Sequence, residues 1–136
     1  MQSSLIIYTD GGARGNPGPA ATGVVILEGE TKEPVERYGE FLGKQTNNYA
    51  EYMAVISGLK RASALHAKVV TFYCDSKLVV EQLNRNWKVK EPTLQKLFME
   101  AYNLMQGFDR VVLTHVRREK NKEADAEVNK ILDAQM

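Results

Sequence analysis

Two short apolar runs, Leu5–Thr9 and Val69–Cys74, each stop at an aspartate, Asp10 and Asp75. Runs of this length, rich in β-branched and aromatic residues, read as buried strands. Between them, starting from Asn47, the residues Ala50, Ala54, Val55, Gly58, Leu59 and Ala62 recur at helical spacing, with Asn47 or Asn48 suited to cap the start. Strand, helix, strand in that order predicts a right-handed crossover that lays the second strand parallel beside the first. Ligands of open α/β sheets bind beyond the carboxyl ends of the strands, which puts both aspartates at the functional edge. An acid at a strand end is also an ordinary turn former, so neither residue defines a site by itself.

The rest of the chain fits around that unit. After Asp10 the stretch GGARGNPGP reads as a tight glycine-rich loop. Gly23–Glu28 reads as a second strand and Pro34–Leu42 as a third, joined by a hairpin turn at Gly29, Glu30 and Thr31, so the opening is an antiparallel meander. Ser76 is placed to cap a short helix, NRNWKVKEP forms a linker, Thr93–Gln106 forms a helix and Val111–Val116 a fifth strand. From Asn121, with Ala124, Val128, Ile131 and Leu132 on one face, a closing helix is predicted. The expected fold class is α/β: a five-stranded mixed sheet, antiparallel in its first three strands and parallel in the remainder, flanked by helices. At 136 residues the expectation is one domain, residues 1–136.

Bulk composition narrows the function only slightly. With 18 Lys plus Arg against 17 Asp plus Glu, net charge carries no footprint of a nucleic-acid binder, so distribution must carry that argument. Cys74 is the sequence's single cysteine, which excludes an internal disulfide framework and a cysteine-based zinc site; it is expected to be a buried packing residue. The opening MQSSLIIYTDGG has no basic n-region and its apolar run is far too short for a membrane span, so a soluble, cytoplasmic protein with no membrane partner is expected, as a monomer.

Two further acids stand out. NNYAEY sets Glu51 in the first turn of the long helix among residues suited to facing the sheet, although a lone acid there also complements the helix dipole. NKEADAEVN places Asp125 equivalently in the last helix, with Glu123 turned more toward solvent. Four acids converging from two strand ends and two helix starts repel one another unless cations compensate, and an oxygen-only ligand set favours Mg²⁺ or Mn²⁺. Two such ions roughly 4 Å apart are the machinery of phosphodiester hydrolysis.

In their order and separations, TDGGARGNPGP, TNNYAEY, YCDS and HVRREKNKEADAEVN resemble the type 1 ribonuclease H family over nearly the whole chain. The resemblance implies a ribonuclease H-like fold and an endonuclease that hydrolyses the RNA strand of RNA/DNA hybrids, leaving 5′-phosphate and 3′-hydroxyl ends. It implies two Mg²⁺ ions, with Mn²⁺ as a substitute. Asp10 and Asp75 would hold the ion that activates water, and Asp10, Glu51 and Asp125 the ion near the leaving group. Backbone groups of Gly11, Gly12 and Ala13, with Glu51, would recognise ribose 2′-hydroxyls, while Asn16, Thr46, Asn47 and Asn48 match polar positions used against sugar, base edges and phosphate. Ser76 is a cap or a backbone contact, and Gly15, Pro17, Gly18 and Pro19 are assigned to loop shape. Double-stranded RNA is a further partner to be considered.

The chain departs from that pattern twice. In place of a long basic protrusion it has only Asn86, Trp87, Lys88, Val89 and Lys90, where Trp87 reads either as core or as a residue lying on the DNA backbone. In place of a loop histidine it has Arg118 as the polar candidate for a supporting catalytic role; His115 reads as packed in the fifth strand and His66 as a helix-end residue. Rival readings are another nuclease of the same superfamily, against which the glycine-rich loop and NNYAEY argue, and a non-cleaving hybrid or double-stranded RNA binding module, which should have lost an acid.

Overall fold

Alternation along the strands decides where the core sits. In β1 (Ser4–Ala13), Leu5, Ile7 and Thr9 are fully buried while Ile6 and Tyr8 are half-buried. The computed structural model describes residues 3–136; Met1 and Gln2, at the head of the segment read as lacking a leader, lie outside the described residues. The chain continues through β2 (Gly18–Glu28), β3 (Pro34–Gln45), α1 (Asn47–Ala64), β4 (Val69–Cys74), α2 (Lys77–Leu83), α3 (Pro92–Met105), β5 (Arg110–His115) and α4 (Lys122–Asp133). The sheet order is β3-β2-β1-β4-β5. β1–β2 and β2–β3 pair antiparallel, β1–β4 and β4–β5 parallel, as expected from the sequence.

Helices cover both faces. A Cβ on Gly11 would meet the backbone of Ala50 in α1, whereas one on Gly12 would meet Val128 of α4; neighbouring strand residues point to opposite faces, so α1 and α4 lie on opposite sides of the sheet. On the α1 side Tyr52, Phe72, Ile7, Ile26, Val55 and Leu59 are fully buried in the main core, each contributing about 1.5–3 kcal/mol by leaving water. The Tyr52 hydroxyl donates to Gln82 Oε1 at 2.6 Å, which keeps its polar end satisfied inside that core. On the other side Ala21, Val128 and Leu132 form a small second cluster. No helix among the described residues is long and apolar enough to cross a membrane.

Several boundaries differ from the sequence reading for identifiable reasons. The glycine-rich stretch after Asp10 is mostly strand: Asp10, Gly11, Gly12 and Ala13 pair with Gly23, Thr22, Ala21 and Ala20, and the loop shrinks to residues 14–17. Glycine weakens a strand interior in general, but here the absence of a side chain is what lets α1 approach. β3 runs on to Gln45, with a register shift between Ala20 and Ala21. α1 is capped by Thr46, whose Oγ1 accepts from the Tyr49 N–H at 3.1 Å, rather than by Asn47 or Asn48. A single 3₁₀ turn, Arg118–Lys120, precedes α4. Cys74 is fully buried, and desolvation pushes its thiol upward in pKa, in keeping with an inert packing role.

Candidate functional site

The last parallel pair between β1 and β4 is Thr9 with Cys74, so Asp10 and Asp75 are the residues that follow where that ladder ends. Glu51, the fifth residue of α1, reaches them from above the sheet edge. One carboxylate oxygen from each of Asp10, Glu51 and Asp75 lies within 4.8 Å of the other two. Asp125, in the first turn of α4, lines the same open cleft of about 510 Å³ and bears on Asp10 through charge and hydrogen bonding.

Two glycines make this convergence possible. A Cβ on Gly11 would overlap the carbonyl of Ala50, and one on Gly23, which pairs with Asp10, would overlap the carbonyl of Ala124. The first close approach seats the start of α1 and hence Glu51; the second seats the start of α4 and hence Asp125. Hydrogen bonds fix both. The Gly11 N–H donates to Glu51 Oε1 at 2.8 Å and to Asp10 Oδ1 at 3.0 Å. Asn121, fully buried just ahead of α4, donates from Nδ2 to the Thr9 carbonyl at 2.8 Å, tying the residue before Asp10 to the helix that carries Asp125.

Like charges this close are costly: two unit charges 4 Å apart repel by about 4 kcal/mol even where the surroundings shield them substantially. Burial, the Asp75 charge and the Asp125 contact together push the Asp10 carboxyl up to about 8. Burial, then Asp10 and Asp75, also holds Glu51 well above the usual carboxylate range despite the Gly11 hydrogen bond. Of the four acids only Asp125 has an ion-pair partner among the described residues, Arg118 Nη2 at 3.9 Å, and that guanidinium is mostly exposed. Oxygen-only donors, mutual repulsion and little internal compensation fit a hard divalent cation, and the acidic group can hold a metal ion.

The other residues singled out in the sequence divide into two sets. Gly11, Gly12, Ala13, Asn47 and Arg118 line the cleft with the acids. Asn16, Thr46, Asn48 and Ser76 are not among its lining residues. Asn16 Oδ1 accepts from the Asn47 N–H at 3.0 Å, and Asn47 Oδ1 accepts from the Ala13 N–H at 2.7 Å, so this pair ties the end of β1 to α1. Ser76 caps α2, its Oγ accepting from the Val79 N–H at 3.3 Å. His115 is exposed at the end of edge strand β5 rather than packed, and His66 is exposed past α1 with a φ of 61°. Trp87 is exposed rather than core, with Lys77 Nζ 5.9 Å from its ring centre. Glu123 faces solvent as expected and pairs with Arg37.

Arg14 and Asn129 also line the cleft, and the sequence reading passed over both. The available signal was spacing: Asn129 stands four residues after Asp125, on the same helix face.

Residues 8–131 match the protein family described as "Reverse transcriptase-like". The bifunctional protein Rv2228c of Mycobacterium tuberculosis is 42% identical over 130 residues, 96% of this chain and 36% of that protein. Ribonuclease HI of Halobacterium salinarum is 41% identical over 126 residues, 93% of this chain and 63% of that protein. The chain thus spans between about a third and two-thirds of the length of these relatives. LC11-RNase H1, isolated from compost by a metagenomic approach, has a crystal structure in complex with an RNA/DNA hybrid that matches with a TM-score of 0.90 at 40% identity, covering 97% of this chain and 99% of that one.

Proposed function

The chain belongs to the type 1 ribonuclease H family, and from that premise we propose that it is an endonuclease hydrolysing the RNA strand of RNA/DNA hybrids to 5′-phosphate and 3′-hydroxyl ends. The observation that carries this reading is the convergence of Asp10, Glu51 and Asp75 within 4.8 Å, in a cleft that Asp125 also lines.

Two Mg²⁺ ions, replaceable by Mn²⁺, would supply Lewis-acid stabilisation of the phosphate and a lowered pKa for the attacking water. Asp10 and Asp75 would hold one, and Asp10, Glu51 and Asp125 the other. The N–H groups of Gly11 and Ala13 already donate within the protein, to Glu51 and Asn47, which leaves the ribose 2′-hydroxyl to be met as a donor by acceptors such as the Glu51 carboxylate. The half-buried backbone at Gly12, with no side chain, admits a close approach of the minor groove. Arg118 stands where a cation can meet a phosphate oxygen or the departing strand. Asn16, Asn47, Thr46 and Asn48, at the open end beside β1 and α1, are assigned to sugar and phosphate, and Ser76 to a backbone contact.

Exposed Trp87, with Lys77 beside it and Lys88 and Lys90 following, would take the DNA strand in place of a longer basic protrusion. Double-stranded RNA, which shares the 2′-hydroxyls, is a secondary substrate on this reading. The same reading takes the protein as a cytoplasmic monomer, and its single cysteine, free and buried, fits a reducing compartment. Retention of all four acids weighs against a silent binding module. Cleavage of a labelled hybrid, set against matched single-stranded RNA, double-stranded RNA and double-stranded DNA, tests the proposal.

A further inference from the structure

Asp125 is held on one side by a short chain of hydrogen bonds that begins in the loop after β1. Asn129 Nδ2 donates to Asp125 Oδ2 at 3.2 Å. Arg14, in the loop that follows β1, donates from Nη2 to Asn129 Oδ1 at 3.3 Å and pairs with Asp133 Oδ1 at 2.7 Å. Asp125, Asn129 and Asp133 are spaced by four, so they form one stripe of α4, and Arg14 lies across its lower two members.

The chemistry of the amide makes this arrangement directional. A guanidinium only donates and a carboxylate only accepts, so Asn129 satisfies both neighbours in one orientation and opposes both in the other. Arg14 therefore selects the orientation in which the Asn129 amide donates to Asp125. The terminal torsion of an aspartate is broad, and a fixed donor on Oδ2 narrows it, leaving Oδ1 with only the exposed Arg118 guanidinium at 3.9 Å. A stability role accounts poorly for these contacts, because the Arg14–Asp133 pair is largely exposed and such pairs contribute little.

We propose that Asn129 is a positioning residue for Asp125, and that Arg14 acts on the same carboxylate through Asn129. The inference rests on the reading of Asp125 as a metal ligand. It makes the loop after β1 and the fourth acid a single mechanical unit, so that displacing the loop changes metal affinity.

The test is calorimetric titration of the whole chain with Mn²⁺, without nucleic acid, for the native protein, Asn129→Ala, Arg14→Ala and the double variant, with a Tm for each. Loss of a group that orients a ligand typically weakens metal binding by about 10–100-fold. Asn129→Ala is expected to weaken Mn²⁺ by about tenfold, Arg14→Ala by less, and the double variant by no more than Asn129→Ala alone, with Tm values unchanged. Native Mn²⁺ affinity in Asn129→Ala, or additive losses in the double variant, overturns the proposal, as does a fall in Tm that tracks the loss in affinity. Hybrid cleavage by the native chain is scored separately. If that chain binds Mn²⁺ but cuts no hybrid, the proposed function fails, while the titrations still decide the positioning role.

Discussion

The Gly11 N–H donates to the Glu51 carboxylate at 2.8 Å, so the residue that follows one acid of the cluster holds another, 40 positions further along the chain. The same glycine lacks the Cβ that would collide with Ala50, and the two facts together dictate the distance between β1 and α1 at the cleft.

Gly11→Ala is therefore predicted to push the start of α1 away from β1. Overpacking of this kind costs about 1–3 kcal/mol, to be read from urea unfolding, and Mn²⁺ affinity should fall with it. Gly12→Ala is the control, because its Cβ would meet Val128 Cγ1 at an ordinary 3.7 Å and should change stability by less than about 0.5 kcal/mol. Equal stabilities for the two variants would show that the Gly11 contact is not limiting.

Asp10 gives the metal-free protein a definite pH dependence. Its folded-state pKa of about 8 lies above the ordinary 3.8, so folding favours the protonated form. That contribution is fully present below about pH 4 and is lost as pH rises toward 8; Glu51, shifted in the same direction, adds to the slope. Without metal, the Tm should fall over this window relative to Asp10→Asn, and Mg²⁺ should restore the native protein at pH 8. Parallel Tm profiles for the two proteins would contradict the assignment. Asp10→Asn should also lower cleavage by more than about a hundredfold, beyond the loss typical of a residue that only orients a ligand.

Much of this site was legible in the sequence because its acids are marked by local pattern. Asp10 and Asp75 interrupt apolar runs, and Glu51 and Asp125 sit among small residues that face a sheet. The pairing of β1 with β4 was legible in the strand, helix, strand order of that segment, whereas the place of β5 at the sheet edge was not. What escaped the reading depends on contacts distant in sequence. Gly11 looks like a strand breaker until α1 is known to press on it, and Gly23 like any strand residue until α4 is. Asn47 looks like a cap, but its oxygen is taken by Ala13 across 34 positions, which leaves capping to Thr46. The pairing of Arg14 with Asn129 has no local signature at all.

Arg118→Ala removes a cation from the cleft without touching the three-acid cluster. Loss of one charge-assisted contact is worth about 1.5–3 kcal/mol, so cleavage should slow by roughly tenfold or more while Mn²⁺ binding measured without substrate stays near native. An unchanged rate would return Arg118 to the role of an ordinary loop charge.

Asn121→Ala breaks the tie between the Thr9 carbonyl and the start of α4. A buried carbonyl left without its donor costs about 1–3 kcal/mol, measurable as a shift in the urea midpoint. Activity should drop as well, since the same bond sets α4 against β1. A stable variant with native activity would mean that the Gly23 contact alone seats the helix.

The most direct test of the central claim is a cleavage assay with Mg²⁺ on four labelled substrates: RNA/DNA hybrid, single-stranded RNA, double-stranded RNA and double-stranded DNA. Internal cuts in the RNA strand of the hybrid are expected, with 5′-phosphate products, abolished by chelation and by Asp10→Asn, with the DNA duplex left intact. Cleavage of DNA, or tight hybrid binding with no cleavage at any metal concentration, would contradict it.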